Sequence, residues 1–336
     1  MLKKIEEFDN ASKLNISLSG SFNCISSWIE YEDECPNISI GYGVSLNNCK
    51  ITVHKGGGLI IKDLCELRGR IIVGEGCKVE IGYGLVCNDA IYIQTAERGS
   101  ITIKDDCLFA NPKIYNSDLH SIFDLNTGSR TNFAKDVVIG NRVWLARDTL
   151  VLKGANIGDG SILGAGSTFN GKSESNALLV GSPAKVAKKE VVWSRYTDSN
   201  ISKLLPIDFP AAKFRSNALQ FNHDKVIELG INIWENRKEI RASDYYALYY
   251  LSRSILIRDI QSKGLIATYI NDVQITAKDI FQSLLDCYEL SGLTNIACGS
   301  FSYLAAQLAG LDLEAKSIYE KVKSRSNHID NPKYKA

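Results

Sequence analysis

The stretch VVIGNRVWLARDTLVLKGANIGDGSILGAGS, Val137 to Ser167, decides the fold. Ile139, Leu145, Val151, Ile157 and Leu163 recur at every sixth position without a break. Each is followed by Gly140, Ala146, Leu152, Gly158 or Gly164, and four residues after each stands Val143, Thr149, Ala155, Ser161 or Ser167. A half-buried strand alternates with period two and an amphipathic helix with about 3.6, so neither explains this spacing. Period six, an aliphatic followed mostly by a small residue, is the signature of a β-solenoid in which each hexapeptide supplies one short strand and one turn. Three such units close a triangular coil. The aliphatic points inward and stacks on its equivalent one coil away, and the small residue fits a corner where a Cβ would clash.

The rhythm extends outward from this segment. Ile61, Leu67, Val73 and Val79 keep the spacing; Ile81, Cys87 and Ile93 resume it after a change of register; Ile40 and Leu46 suggest a further coil. The reading is a β cap over residues 1–36, a solenoid over 37–190, a linker over 191–210 and a helical domain over 211–336. An ordinary β-sandwich with many turns does not generate five consecutive hexads. LLPIDFPAA carries two prolines and marks the linker. Beyond it helical spacing takes over, with Leu248, Leu251, Ile255 and Leu256 on one face, Gly264 as a C-cap, and Leu311, Ala315, Ile318 and Val322 on another face. Thr276 and Asp279 form a capping pair ahead of Ile280, Leu284 and Cys287. About five short helices in antiparallel pairs are expected. The cluster Tyr245, Tyr246, Tyr249, Tyr250 is read as two rings in the core and two at its rim rather than as a sugar platform.

Composition bounds the function. The chain has 336 residues, a net charge of +1 and 45% hydrophobic content, which gives two domains ample core and no global signal for nucleic acid or an anionic membrane. MLKKIEEFDN has no apolar segment of a secretory signal, and no window approaches the roughly 18 apolar residues of a membrane span. The nine cysteines include no C-x-x-C pair; Cys65, Cys77, Cys87 and Cys107 fall among small and apolar residues, as reduced core cysteines do. A cytoplasmic location, no metal and no zinc are expected.

SDLHSIFDLNTGSR, the hexad segment and GSPAKVAKKEVVWSR, together about residues 117–195, resemble the hexapeptide-repeat acyltransferases, and within them the capsule polysaccharide O-acetyltransferases that include enzymes acting on polysialic acid. The resemblance implies a left-handed parallel β-helix, here followed by the all-α C-terminal domain, and a homotrimer with active sites between subunits. It also implies acetyl-CoA as cosubstrate and direct transfer without an acyl-enzyme. A sugar hydroxyl needs a base that titrates near neutrality, and His120 is the histidine in the matching segment. Asp118 and Asp124 stand close by in sequence; either can orient the imidazole, and spacing does not choose between them.

The family's tryptophan beside the thioester arm corresponds to Trp144, at an outward-facing place of its hexad. By the same resemblance Ala146, Arg147, Gly164, Ala165, Asn170 and Gly171 lie along the carrier, and Lys185 and Lys188, with Lys172, meet its phosphates. Arg130 is the residue to face an acidic acceptor. The resemblance implies a bacterial capsular polysaccharide as acceptor, with sialic acid as one option, and association with a capsule-synthesis assembly is compatible with it. Two other readings stay open: an acyltransferase acting on a small activated sugar, such as a sugar nucleotide or amino sugar, and a non-enzymatic scaffold with a helical interaction module. A trihistidine zinc enzyme on this fold fails on ligand count, because the solenoid holds only His54 and His120.

Overall fold

The computed structural model describes residues 3–5, 16–18, 22–32, 37–195, 209–234, 237, 245–261, 263, 267–270, 272–290 and 296–323. The chain divides into two compact units, Met1–Trp193 and Ser194–Ala336.

The first unit is a β-solenoid. Short strands recur along three faces, and each pairs in parallel with its equivalents in neighbouring coils. One face runs through Val86–Cys87, Leu108–Phe109, Trp144–Leu145, Ile162–Leu163 and Leu178–Gly181. A second runs through Ile91–Gln94, Lys113–Tyr115, Leu150–Val151 and Thr168–Phe169. The third is a seven-stranded sheet from Ile16–Leu18 to Asn156–Ile157. The coil stack therefore reaches Ile16, ahead of the expected start at 37, because Ile16–Leu18 pairs in parallel with Ile38–Ile40. Lys3–Ile5 pairs antiparallel with Ile29–Tyr31.

The register shows why period six works. Ile81, Ile103, Ile139 and Ile157 stand opposite one another along the third face, and Phe109, Leu145, Leu163 and Leu179 along the first. Ile139, Leu145, Val151, Ile157 and Leu163 are at most 1% exposed and belong to one apolar column. Each such aliphatic contributes about 1.5–3 kcal/mol relative to an exposed position. The small residues after them have a steric cause. A Cβ on Gly140 would lie 2.7 Å from the Asp159 backbone nitrogen, and one on Gly158 would lie 2.5 Å from Glu174 backbone atoms. The cysteines behave as small core residues: Cys49, Cys65, Cys77, Cys87 and Cys107 are buried free thiols. An antiparallel hairpin, Leu178–Gly181 with Ala184–Lys188, ends the stack.

The second unit is helical: α1 (Ala211–Leu219), α2 (His223–Gly230), α3 (Tyr245–Ile255), α4 (Ala277–Leu290), α5 (Ile296–Leu308) and α6 (Asp312–Lys323). A π-helical turn, Leu256–Gln261, continues α3, and a hairpin of Ala267–Ile270 with Val273–Thr276 precedes α4. The hairpin is an addition to the all-α expectation. Thr276 and Asp279 cap α4 reciprocally: the Thr276 amide donates to Asp279 Oδ2 at 3.0 Å, and the Asp279 amide donates to Thr276 Oγ1 at 3.1 Å. Leu248, Leu251, Ile255, Leu256, Ile280, Leu284 and Cys287 form the core with Ala315, Ile318 and Val322, while Leu311 is partly buried. Tyr249 is buried and Tyr246 and Tyr250 pack at the rim; the Tyr245 side chain and Gly264 lie outside the described residues. Among the described residues no helix is long and apolar enough to cross a membrane.

Candidate active site

Between Tyr115 on the second face and Val137 on the third, the chain leaves the coil as a loop and returns. His120 sits on this loop, exposed, and no described residue hydrogen-bonds its ring. The loop is a short hairpin: Phe123 and Arg130 form an antiparallel bridge, and Asp124 N donates to the Ser129 carbonyl at 2.9 Å. Asn132, 7% exposed, clamps its base. Asn132 Nδ2 donates to the His120 carbonyl at 2.7 Å and to Asp118 Oδ2 at 2.8 Å, while its Oδ1 accepts from Ile122 N at 2.7 Å. Nothing in local sequence marks this asparagine, because its partners lie 10 to 14 residues away.

Both candidate carboxylates are committed to the loop itself. Asp118 pairs with Lys153, which with Asn132 holds its carboxyl below the usual range. Asp124 accepts from the Thr127 amide at 2.8 Å and the Asn126 amide at 2.9 Å, and those bonds lower its carboxyl likewise. Asp124 thus closes the hairpin turn, and Asp118 anchors the histidine segment to the coil corner. Arg130 is also engaged: it meets Glu97 Oε1 at 2.8 Å, Asn132 Oδ1 at 3.3 Å, and the Phe133 ring with its Cζ 5.0 Å from the centroid. Glu97 in turn accepts from Ser117 Oγ.

Trp144 is half-buried on the first face, paired with Leu108 and Ile162. Its ring is covered from one side by Trp193, 6.0 Å away between centroids and tilted by 44°. Trp193 is 8% exposed, and its Nε1 donates to the Arg142 carbonyl at 2.7 Å. It belongs to the segment that follows the terminal hairpin, so sequence spacing gives no hint of this contact.

The residues aligned with a carrier site divide in a useful way. The Ala146 and Gly164 amides are used inside the coil, donating to Leu163 at 2.9 Å and Leu179 at 2.8 Å. The Arg147 and Ala165 amides, one coil apart at the corner between the first and second faces, have no hydrogen-bond partner among the described residues. Two stacked N–H donors of this kind fit the amide carbonyls of a pantetheine chain. The Arg147 side chain meets Asp89 at 3.1 Å. Lys172, Lys185 and Lys188 are exposed and without ion-pair partners among the described residues. Asn170 and Lys172 line a pocket of about 470 Å³ with Lys135, Asp136, Lys153 and Asn156, and Gly171 O accepts from Asn156 N at 2.8 Å.

That pocket and the His120 loop share the corner between the second and third faces. Trp144 occupies the first face, opposite that corner, and the free Arg147 and Ala165 amides stand at another corner. The structure thus groups His120, Asp118, Asn132 and Lys153 together, and Trp144 with Trp193 elsewhere around the prism.

No protein-family profile matches the chain. Individual relatives do. The polysialic acid O-acetyltransferase of Neisseria meningitidis is 37% identical over 158 residues, covering 44% of this chain and 73% of that one. The chain belongs to the hexapeptide-repeat acetyltransferases. The polysialic acid O-acetyltransferase of Escherichia coli O1:K1 / APEC is 30% identical over 131 residues, 39% of this chain, and the match spans 42% of that protein's length. Among solved structures, the polySia-specific acetyltransferase NeuO superposes with a TM-score of 0.51 at 23% identity, over 62% of this chain and 87% of that one, which shares the fold.

Proposed function

We propose that the chain is an acetyl-CoA-dependent O-acetyltransferase that modifies a hydroxyl of an acidic capsular polysaccharide, with His120 as general base. The observation that carries this reading is the exposed His120 ring on a loop whose backbone is held by Asn132, in a chain 37% identical over 158 residues to a polysialic acid O-acetyltransferase. Acetyl-CoA, when bound, supplies the activated acetyl group; the Arg147 and Ala165 amides, Trp144, Lys172, Lys185 and Lys188 would hold it. His120 takes the proton of the acceptor hydroxyl as that oxygen attacks, and gives a proton to the departing sulfur. Asp118 and Lys153 act by fixing the loop to the coil. Asp124 acts through the turn.

The opposed placement of the His120 loop and Trp144 supports a site shared between subunits, and hence a homotrimer. Leu119, Ile122, Phe123, Leu125 and Phe133 are exposed on the loop, with Leu125 100% exposed, an apolar set suited to a second copy of the chain.

The test is turnover with acetyl-CoA and defined acceptors, reading free thiol and O-acetyl product. His120→Ala should lower turnover by roughly 100-fold or more with acetyl-CoA binding nearly intact. Unchanged turnover removes His120 from the mechanism, and acetylation of sugar nucleotides in preference to polymer overturns the choice of acceptor.

A further inference from the structure

The α1–α2 corner of the helical unit holds a cation with no counterion among the described residues. Arg253 on α3 is 8% exposed, and its Nη2 donates to the Ala218 carbonyl at 2.7 Å. Its Nε is buried with no hydrogen-bond partner, and no carboxylate pairs with the guanidinium among the described residues. Asp224 and Asp259 are taken by other cations. Arg258 holds Asp224 at 3.2 Å and Asp259 at 2.5 Å, and Asp259 also meets Lys263 at 2.6 Å. A guanidinium withdrawn from water in this way is costly unless acceptors or a negative charge meet it. Three rings meet it in part: Cζ lies 5.4 Å from the Phe221 centroid, 5.6 Å from Tyr249 and 4.9 Å from Tyr250.

Phe221 opens this box to solvent. It is 68% exposed, so one side of the ring covers Arg253 while much of the rest faces water. The His223 ring stands edge-on to it at 6.5 Å. His223 Nδ1 lies 3.1 Å from Ser254 Oγ, and Nε2 has no partner among the described residues. Burial, with the charge of Arg253, lowers the His223 pKa, so the ring is neutral at neutral pH and can exchange a hydrogen bond with a hydroxyl.

An apolar platform, an unneutralised planar cation and a neutral imidazole at one corner match the parts of one ligand class. The geometry points to a binding site for a carboxylated sugar residue, with its carboxylate on the Arg253 guanidinium, its apolar ring face on Phe221 and a hydroxyl at His223. The guanidinium fork suits a carboxylate. The C–H face of a pyranose suits an aromatic ring. The inference rests on the acceptor being an acidic polysaccharide, and gives the helical unit the task of holding that polymer.

The experiment uses the full-length protein and sialic acid oligomers as probe, beside the same oligomers with their carboxyl groups reduced to alcohols. Phe221→Ala and Arg253→Met should each weaken oligomer binding by about tenfold or more, the loss expected of one charge-assisted or stacking contact. The reduced oligomers should bind the parent protein weakly, and Arg253→Met should weaken them no further. Circular dichroism and thermal midpoints control for folding; should Arg253→Met fail to fold, Phe221→Ala at the exposed ring still decides. Parent-level binding by Phe221→Ala overturns the site, as does equal affinity of the parent for native and reduced oligomers, or no binding of either. Acetyl release by the parent protein is measured separately. Binding lost in the variants, with no transfer by the parent, keeps the site and removes the acetyltransferase reading; transfer with parent-level binding in the variants does the reverse.

Discussion

The side-chain amide of Asn132 donates to the carbonyl of His120 at 2.7 Å, and the same nitrogen reaches Asp118. One buried side chain thus holds the His120 backbone on one side of Leu119 and the Asp118 carboxylate on the other, and Leu119 stands at a φ of +64° where a bulky residue needs support. The position of His120 is set by an asparagine that bonds its backbone and not its ring.

Asn132→Ala should therefore reduce turnover by about tenfold or more while leaving acetyl-CoA binding close to that of the parent. Stability should fall by about 1–3 kcal/mol, because Ile122 N and Asp118 lose a buried partner. A drop in acetyl-CoA affinity as large as the drop in turnover would show that Asn132 acts on the carrier site instead.

Trp193 should behave as a support for Trp144. Trp193→Ala removes a buried ring and should cost about 3–5 kcal/mol of stability. Trp193→Phe keeps a ring and loses the bond to the Arg142 carbonyl, so it should raise the KM for acetyl-CoA with little change in the melting temperature. Equal KM values for the parent and Trp193→Phe would restrict Trp193 to a packing role.

Asp259 provides a test by pH. Burial raises its carboxyl pKa, but hydrogen bonds from Arg258 and Lys263 outweigh burial and bring it down to about 2. An unfolded aspartate titrates near 3.9, so the stabilisation is complete above that pH and is lost as pH falls toward about 2. The size is about 2.6 kcal/mol. Asp259→Asn should destabilise the helical unit by about that amount at pH 7, and the gap to the parent should close between about pH 4 and pH 2 in urea titrations. A pH-independent gap would assign the loss to packing.

The solenoid thiols should be inert in the folded protein. Burial pushes Cys49 and Cys65 up to about 12 and raises Cys87 as well. Alkylation at neutral pH, mapped by mass spectrometry, should spare Cys49, Cys65, Cys77, Cys87 and Cys107 until denaturant is added, whereas half-buried Cys24 should react sooner. Rapid labelling of Cys65 in native protein would mean that the coils open far more readily than their packing implies.

The sequence by itself determined the solenoid, because its cause is local. Every sixth residue must point inward in a triangular coil, and the glycine after it must let the next coil's backbone approach, as at Gly140 and Gly158. The same locality made the Thr276–Asp279 cap readable, and the family likeness singled out His120 and Trp144. Tertiary structure decided what surrounds them. Asp118 turns to Lys153, 35 residues ahead, and Trp193 reaches back 51 residues to the Arg142 carbonyl beside Trp144. Arg253 meets Phe221 only because α3 packs across the α1–α2 turn. Such contacts depend on the closure of coils and the packing of helices. They leave no periodic trace along the chain, so only the folded molecule shows which asparagine, tryptophan or arginine carries them.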